Sequence, residues 1–267
     1  MKKIISLLVV FLMLSACNSK KTNNNDIVTS FFPIQSLVSS VRNQETAVIV
    51  DSEAHDFEPT AKQRAQIAEA KQFYYHGLGM EYWFDESMLK EGKAIELSKE
   101  MKVLPSDPHT WLDPYNAMIM LDTIVVNLKE VEPEVEENAL SVRETLTELI
   151  QEYDRVLSSQ EGAIMMVDHL AFGYLADRYN LVQKPIIDGV SEGEATIKEV
   201  IASVELIKEN NIKAIFVDPH HKTDVIDQIV KETNVEVLPL YTMEQAVDDY
   251  SYLDLLKINL ESLEKGL

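Results

Sequence analysis

The feature that most constrains this fold is a regular alternation of short apolar runs with segments of helical period. The runs are IVT at 27–29, VIV at 48–50 and FYY at 73–75, then AIMMV at 163–167, PII at 185–187, AIFV at 214–217 and VEVL at 235–238. A helix opens at Pro33, and further helical segments lie near 60–69, 170–179, 195–210, 223–233 and 251–264. Strand-length runs that alternate with helices predict an α/β fold with mainly parallel sheets.

A helical stretch without strand signals separates the two halves, between residue 116 and about residue 160. From 134 to 157 its apolar residues recur at intervals of three and four, which predicts a single helix about 36 Å long. A stiff helix between two α/β halves predicts two lobes with a cleft between them. The expected divisions are an N-terminal lobe at 26–130, a linking helix within 131–160 and a C-terminal lobe at 161–267.

The N-terminus indicates where the chain is sent. Two lysines precede an apolar run at 4–14 that is too short to span a bilayer and is typical of a secretory signal peptide. The run ends in Leu-Ser-Ala-Cys, which resembles the lipobox of bacterial lipoproteins and implies cleavage before Cys17 and lipidation of that residue. We therefore expect a signal peptide at 1–17 and a flexible tether at 18–25. A plain signal peptide with a chance cysteine is the alternative.

Charge and cysteine content exclude several classes of function. The chain has 24 basic and 45 acidic residues, and cleavage before Cys17 removes two lysines and takes its net charge from −21 to −23. Such a negative surface excludes nucleic acid as a partner. Cys17 is the only cysteine, so neither a disulfide framework nor a thiolate metal site can form.

Three of the six histidines stand where ligands gather. His55 follows the run at 48–50 and His169 follows the run at 163–167, while His109 lies in SDPHTWLDP, held between two prolines. Ligands of open α/β sheets bind at the carboxyl ends of the strands, and neutral imidazole is a common ligand for zinc and other first-row metals. From residue chemistry alone, a metal-binding and a structural role remain equally open.

Several motifs together resemble one family. HDFEPT at 55–60, PHTWLDP at 108–114 and HLAFGY at 169–174, with TSFFPI at 29–34 and GLGMEYW at 77–83, are similar to the solute-binding lipoproteins of bacterial zinc and manganese ABC importers. The resemblance implies two lobes bridged by one long helix, with His55, His109 and His169 binding metal in the cleft. It also implies a monomer, anchored by lipid at the extracytoplasmic face of the membrane, that delivers its metal to an ABC permease.

The resemblance further implies a carboxylate ligand near the C-terminus. The candidate is Glu244 in LPLYTME, a segment that departs from the Asn-Pro-Leu-Glu form common in the family. If Glu244 does not bind, water or another acid must take its place. The histidine-rich loop of many zinc members is also missing, because 98–107 contains no histidine.

The remaining histidines have other expected roles. His76 stands where the family commonly has asparagine, so we expect it to make hydrogen bonds in a loop rather than to bind metal. His220 and His221 follow a predicted strand end; at most one can face the cleft, and we expect surface positions, with auxiliary metal capture as the alternative.

The leading hypothesis is therefore a zinc-binding transport protein and not an enzyme, since three histidines and a carboxylate leave no open position for reactive water. The nearest alternative is the same architecture tuned to Mn²⁺ or Fe²⁺. A zinc hydrolase would lack the His-Glu-x-x-His motif and have Glu58 as its only obvious base. A surface adhesin would need an exposed patch for its partner.

Overall fold

The computed structural model describes residues 26–50, 57–186, 196–221, 224–247 and 249–267. The first half comprises β1 (Ile27–Thr29), α1 (Phe32–Arg42), β2 (Ala47–Val48), α2 (Ala61–Glu69), β3 (Gln72–Tyr75), β4 (Lys93–Glu96) and α3 (Pro114–Leu128), and is followed by the long helix α4 (Val135–Leu157). The second half comprises β5 (Ile164–Val167), α5 (Gly173–Tyr179), β6 (Val182–Pro185), α6 (Ile197–Glu209), β7 (Ala214–Val217), α7 (Asp224–Thr233), β8 (Glu236–Pro239) and α8 (Tyr252–Gly266).

The two sheets share one topology. Their orders are β2-β1-β3-β4 and β6-β5-β7-β8, and every pairing between neighbouring strands is parallel. In each sheet the second strand in chain order pairs on one side of the first strand, and the third strand pairs on its other side. The connections therefore lead in opposite directions from the point between the first and third strands. Such a switch point opens a crevice at the carboxyl ends of the strands. The predicted class, α/β with two parallel sheets, is confirmed.

Strand positions differ in detail from those predicted. β4 was missed because KAIE at 93–96 buries only Ile95 fully, as expected of an edge strand with charged ends. β6 comes earlier than the predicted PII run: it covers Val182–Pro185, and Ile187 lies outside the described residues. In both cases pairing with a neighbouring strand, rather than apolar character, determines where the strand forms.

Helix α4 joins the lobes because its apolar stripe is continuous. Val135, Leu146 and Tyr153 are among the residues buried along one face, and their spacing follows the helical period. Near its N-terminus the Asn138 amide donates to the Val41 carbonyl at 2.8 Å, and near its C-terminus the Tyr153 hydroxyl donates to the Leu256 carbonyl at 2.7 Å. One end is thus bonded to α1 and the other to α8.

A single buried core runs through both lobes. Phe73 of the first sheet, Leu146 of α4 and Phe216 of the second sheet all belong to it. A smaller cluster packs α6 and α7 against the other face of the second sheet. Since the main core is shared, the lobes are held together by the same burial that stabilises each of them. Across the described ranges, every helix is too short or too polar to cross a bilayer.

Candidate metal centre

The candidate site lies at the strand ends of the second sheet and is faced by a loop of the first lobe. His169 follows β5, two residues beyond the last strand residue, at the switch point between β5 and β7. Glu244 lies in the loop that follows β8. His109 comes from the first lobe, in the turn that enters α3 through a 3-10 segment at Thr110–Leu112. Residues distant in sequence therefore meet at the boundary of the lobes.

The three side chains converge to the spacing of a metal's ligand shell. The Nε2 atoms of His109 and His169 are 3.2 Å apart, and Glu244 Oε1 lies 3.5 Å from the first and 3.7 Å from the second. Donors at the corners of a tetrahedron around Zn²⁺ stand about 3.3–3.6 Å apart, since each bond is about 2.0–2.2 Å long. His109 and Glu244 are buried and His169 is partly exposed, so the group opens toward solvent on one side.

Asp107 orients the His109 ring. Its Oδ1 accepts from the His109 backbone N–H at 2.9 Å and lies 2.8 Å from Nδ1. Because a carboxylate accepts the proton on Nδ1, the lone pair is left on Nε2, the atom that faces His169 and Glu244. Burial acts to lower the pKa of His109, but the Asp107 and Glu244 carboxylates outweigh it and raise that pKa above its ordinary value.

The Asp107 turn is packed against the second lobe. The Tyr174 hydroxyl donates to the Asp107 carbonyl at 2.9 Å and accepts from the Leu104 backbone N–H at 3.1 Å. A Cβ at Gly173 would lie 2.2 Å from Asp107 Oδ2, so a larger residue there would displace the carboxylate that holds the His109 ring. The HLAFGY motif therefore supplies both a candidate metal ligand, His169, and the residues that pack against the His109 turn.

A second connection ties the Glu244 loop to the first lobe. The fully buried Trp111 donates from Nε1 to the Thr242 carbonyl at 2.8 Å. Thr242 in turn donates to Asp218 Oδ2 from its backbone N–H at 2.8 Å and its hydroxyl at 2.9 Å. Asp218 follows β7 directly, so the segment before Glu244 is fastened to the neighbouring strand end as well as to Trp111.

Two of the predicted site residues cannot be placed. His55 and Cys17 lie outside the described residues, so metal binding by His55 and lipidation of Cys17 remain predictions. The other three predicted ligands, His109, His169 and Glu244, are brought together.

The other histidines lie apart from that group. His76 is fully buried behind the His109 turn, and burial lowers its pKa to about 4. His220 Nδ1 is 2.8 Å from Asp218 Oδ1, and His221 Nδ1 is 3.3 Å from Asp168 Oδ2. Both side chains are about one-third exposed, and only the His221 ring approaches His169, at 6.2 Å between ring centroids. His220 is an exposed residue and His221 is partly exposed, which agrees with the surface positions expected for them.

Sequence reasoning missed two carboxylates that support the site. Asp107 was given no role from the sequence, although an aspartate two residues before a histidine can accept from both its backbone and its ring. That spacing in Asp-Pro-His was the available signal. Asp218 carried no local signal, because its role depends on contact with Thr242, 24 residues later.

Two parallel sheets bridged by a long helix, with imidazole and carboxylate donors converging at the lobe boundary, define a two-lobed metal-binding protein of the solute-binding type. The chain belongs to the family described as zinc-uptake complex component A, periplasmic, whose family model matches residues 27–266.

Individual relatives align with nearly the whole chain and differ in the metal that their names state. The zinc-binding lipoprotein AdcA of Streptococcus pneumoniae is 28% identical over 305 aligned positions, which cover 99% of this chain but only 61% of AdcA. The manganese-binding lipoprotein MntA of Halalkalibacterium halodurans is 23% identical, covering 98% of this chain and 96% of MntA. The crystal structure of the Zn(II)-bound ZnuA-like domain of S. pneumoniae AdcA matches with a TM-score of 0.79 and 26% identity, over 90% of this chain and 97% of that domain.

Proposed function

We propose that this protein captures Zn²⁺ outside the cytoplasm and delivers it to an ABC permease for import. The observation that carries the proposal is the convergence of His109, His169 and Glu244, whose ligand atoms all lie within 4.8 Å of one another. His55, which follows β2, is the expected fourth ligand. Three imidazoles and one carboxylate make a closed tetrahedral set, which is suited to holding a metal rather than to activating water.

Zinc is favoured over manganese by the compact donor set. Zn²⁺ accepts four ligands with no geometric preference from its d-electrons, whereas Mn²⁺ favours more oxygen donors. Glu244 offers the only carboxylate in the described group, and its neighbours there are both nitrogen donors. Mn²⁺ remains the second candidate because a manganese-binding relative aligns with nearly the whole chain. Fe²⁺ is a more distant alternative of the same kind.

Among the residues that the structure describes, the geometry does not support a catalytic role. Glu58, the base that a hydrolase would need, is exposed and forms an ion pair with Arg64 at 3.0 Å. The relatives named above are binding proteins for zinc or manganese. We therefore propose transport without catalysis.

The proposed location follows from the N-terminal sequence and the relatives. We propose that 1–17 is a lipoprotein signal segment cleaved before Cys17, that Cys17 stays on the protein and carries the lipid, and that 18–25 tether the protein to the extracytoplasmic face of a bacterial membrane. Both named relatives are lipoproteins. The proposed divisions are lobes at 26–130 and 161–267, with the linking helix within 131–160, and the protein acts as a monomer.

Zinc affinity of site variants tests the proposal. The protein is stripped with a chelator and titrated with Zn²⁺ against a chromophoric competitor, then the titration is repeated with Mn²⁺ present. We expect His109→Ala and His169→Ala to weaken zinc binding well over tenfold, and His220→Ala, a matched control bonded to Asp218, to change it little. Wild-type affinity in His109→Ala would refute the proposed site, and preference for Mn²⁺ at equal free concentrations would favour the second candidate.

The two less secure ligands are tested in the same way. His55→Ala should match His109→Ala if His55 completes the set. Glu244→Ala should weaken binding less than loss of a histidine, because water can replace one oxygen ligand. Unchanged affinity in Glu244→Ala would remove that residue from the site.

A further inference from the structure

The buried His76 makes contacts on both sides of a proposed metal ligand. It follows β3 directly, at the switch point of the first sheet. Its Nε2 lies 2.8 Å from the Pro108 carbonyl oxygen and 3.3 Å from Thr110 Oγ1. Pro108 and Thr110 are the residues immediately before and after His109, so one imidazole from the first sheet spans the segment that presents the ligand.

The partner atom determines which nitrogen of His76 carries the proton. A carbonyl oxygen only accepts, so the 2.8 Å contact requires an N–H on Nε2. The Nε2–H group therefore donates to Pro108, and Nδ1 is unprotonated in the neutral ring. In this hydrogen bond, a side chain at the end of a strand of the first sheet donates to the backbone of the turn that contains His109.

The ring of His76 is itself held in place. Glu81 accepts from the backbone N–H groups of His76, at 2.9 Å, and of Gly77, at 3.0 Å. The ring packs edge-on against Trp111, at 4.9 Å between centroids, and against Phe31, at 6.0 Å. Because both the backbone and the ring of His76 are held in place, its N–H group can determine the position of the Pro108 carbonyl.

We propose that His76 is a positioning residue for metal binding: its Nε2–H fixes the Pro108–His109 peptide to the first sheet, so that His109 Nε2 meets the donors of the second lobe. The hydrogen bond from His109 to Asp107 cannot do this, because both groups belong to the same turn and move with it. The inference rests on the proposed function, since it concerns the geometry of that metal site. Ligand groups must be held within about 0.5 Å of their productive positions for full affinity.

The alternative is that His76 only fills space in the core. Two substitutions of similar length separate the roles. His76→Gln retains a side-chain N–H that can reach the Pro108 carbonyl, whereas His76→Met retains apolar bulk without a donor. Tyr153→Phe is the matched control, because it removes a different buried hydrogen bond of similar length, 2.7 Å, to the Leu256 carbonyl.

The experiment measures zinc affinity and metal-free melting temperature for each variant beside wild type and His109→Ala. We expect His76→Met to lose about tenfold in zinc affinity, the lower end of the range for groups that support metal ligands, and His76→Gln to stay within about threefold of wild type. Tyr153→Phe should lower the melting temperature without changing affinity.

The possible failures are distinguishable. Wild-type affinity in His76→Met, with impaired His109→Ala, would overturn the positioning role and leave the proposed function standing. Equal losses in His76→Gln and His76→Met would also overturn it, because packing rather than the hydrogen bond would then matter. Wild-type affinity in His109→Ala would refute the proposed function itself.

Discussion

Acidification should destabilise the metal-free protein through His76, and the size of the effect can be worked out from its burial. Burial lowers the pKa of His76 from 6.5 to about 4. Well above pH 6.5 the ring is neutral in both folded and unfolded chains and contributes no pH dependence. As the pH falls from 6.5 toward 4, the unfolded chain binds a proton that the folded chain does not, so the free energy of unfolding decreases.

The expected magnitude follows from the shift in pKa. One pKa unit corresponds to about 1.4 kcal/mol, so the full shift from 6.5 to about 4 corresponds to about 3.5 kcal/mol. At pH 4 the folded ring is itself half protonated, so about 3 kcal/mol of this has been lost by then. The free energy of unfolding of an ordinary domain is roughly 5–15 kcal/mol, so this loss would be a large part of the total. Other titrating groups add their own contributions, which a comparison with a variant removes.

The assay is chemical denaturation, followed by circular dichroism, of metal-free wild type and His76→Gln at pH values between 7.5 and 4. Glutamine does not titrate in this range, so the stability of wild type relative to the variant should fall by about 3 kcal/mol across it. Parallel curves for the two proteins would refute the reasoning, because they would mean that His76 is protonated as readily in the folded chain as in the unfolded one.

Three further predictions concern the metal and the anchor. Zinc affinity should fall with acidification, because protons compete with zinc for the histidine nitrogens. Since the pKa of His109 is raised, this competition should begin at a higher pH than for an ordinary histidine. An affinity that does not change with pH between 8 and 5, roughly the histidine range, would contradict this. Asp107→Ala should weaken zinc binding about ten- to a hundredfold by releasing the His109 ring, and an unchanged dissociation rate in stopped-flow chelation would exclude that role. Cys17→Ser should move the protein from the membrane fraction to the soluble fraction on cell fractionation, and full membrane retention would show a different anchor.

Much of this architecture is already determined by the sequence, because the interactions that specify it are local. Alternating runs and helical periods predict the class of both lobes, and the apolar stripe in 134–157 predicts helix α4, found at Val135–Leu157. The candidate ligands were named from sequence only through the family resemblance of the motifs that contain His109 and His169, because residue chemistry alone left a structural role equally open. Local pattern is sufficient wherever the chain's own neighbours decide its conformation.

Only the tertiary structure decided how those pieces act together. Edge strand β4 forms through pairing with β3, which no local pattern of KAIE reveals. The approach of Glu244 to His109 spans the boundary between the lobes, and the contact between His76 and the Pro108 carbonyl joins residues 32 positions apart. A histidine read from sequence could equally be a ligand, a loop residue or a core residue, because its role depends on which distant atoms the packed core brings within hydrogen-bonding distance.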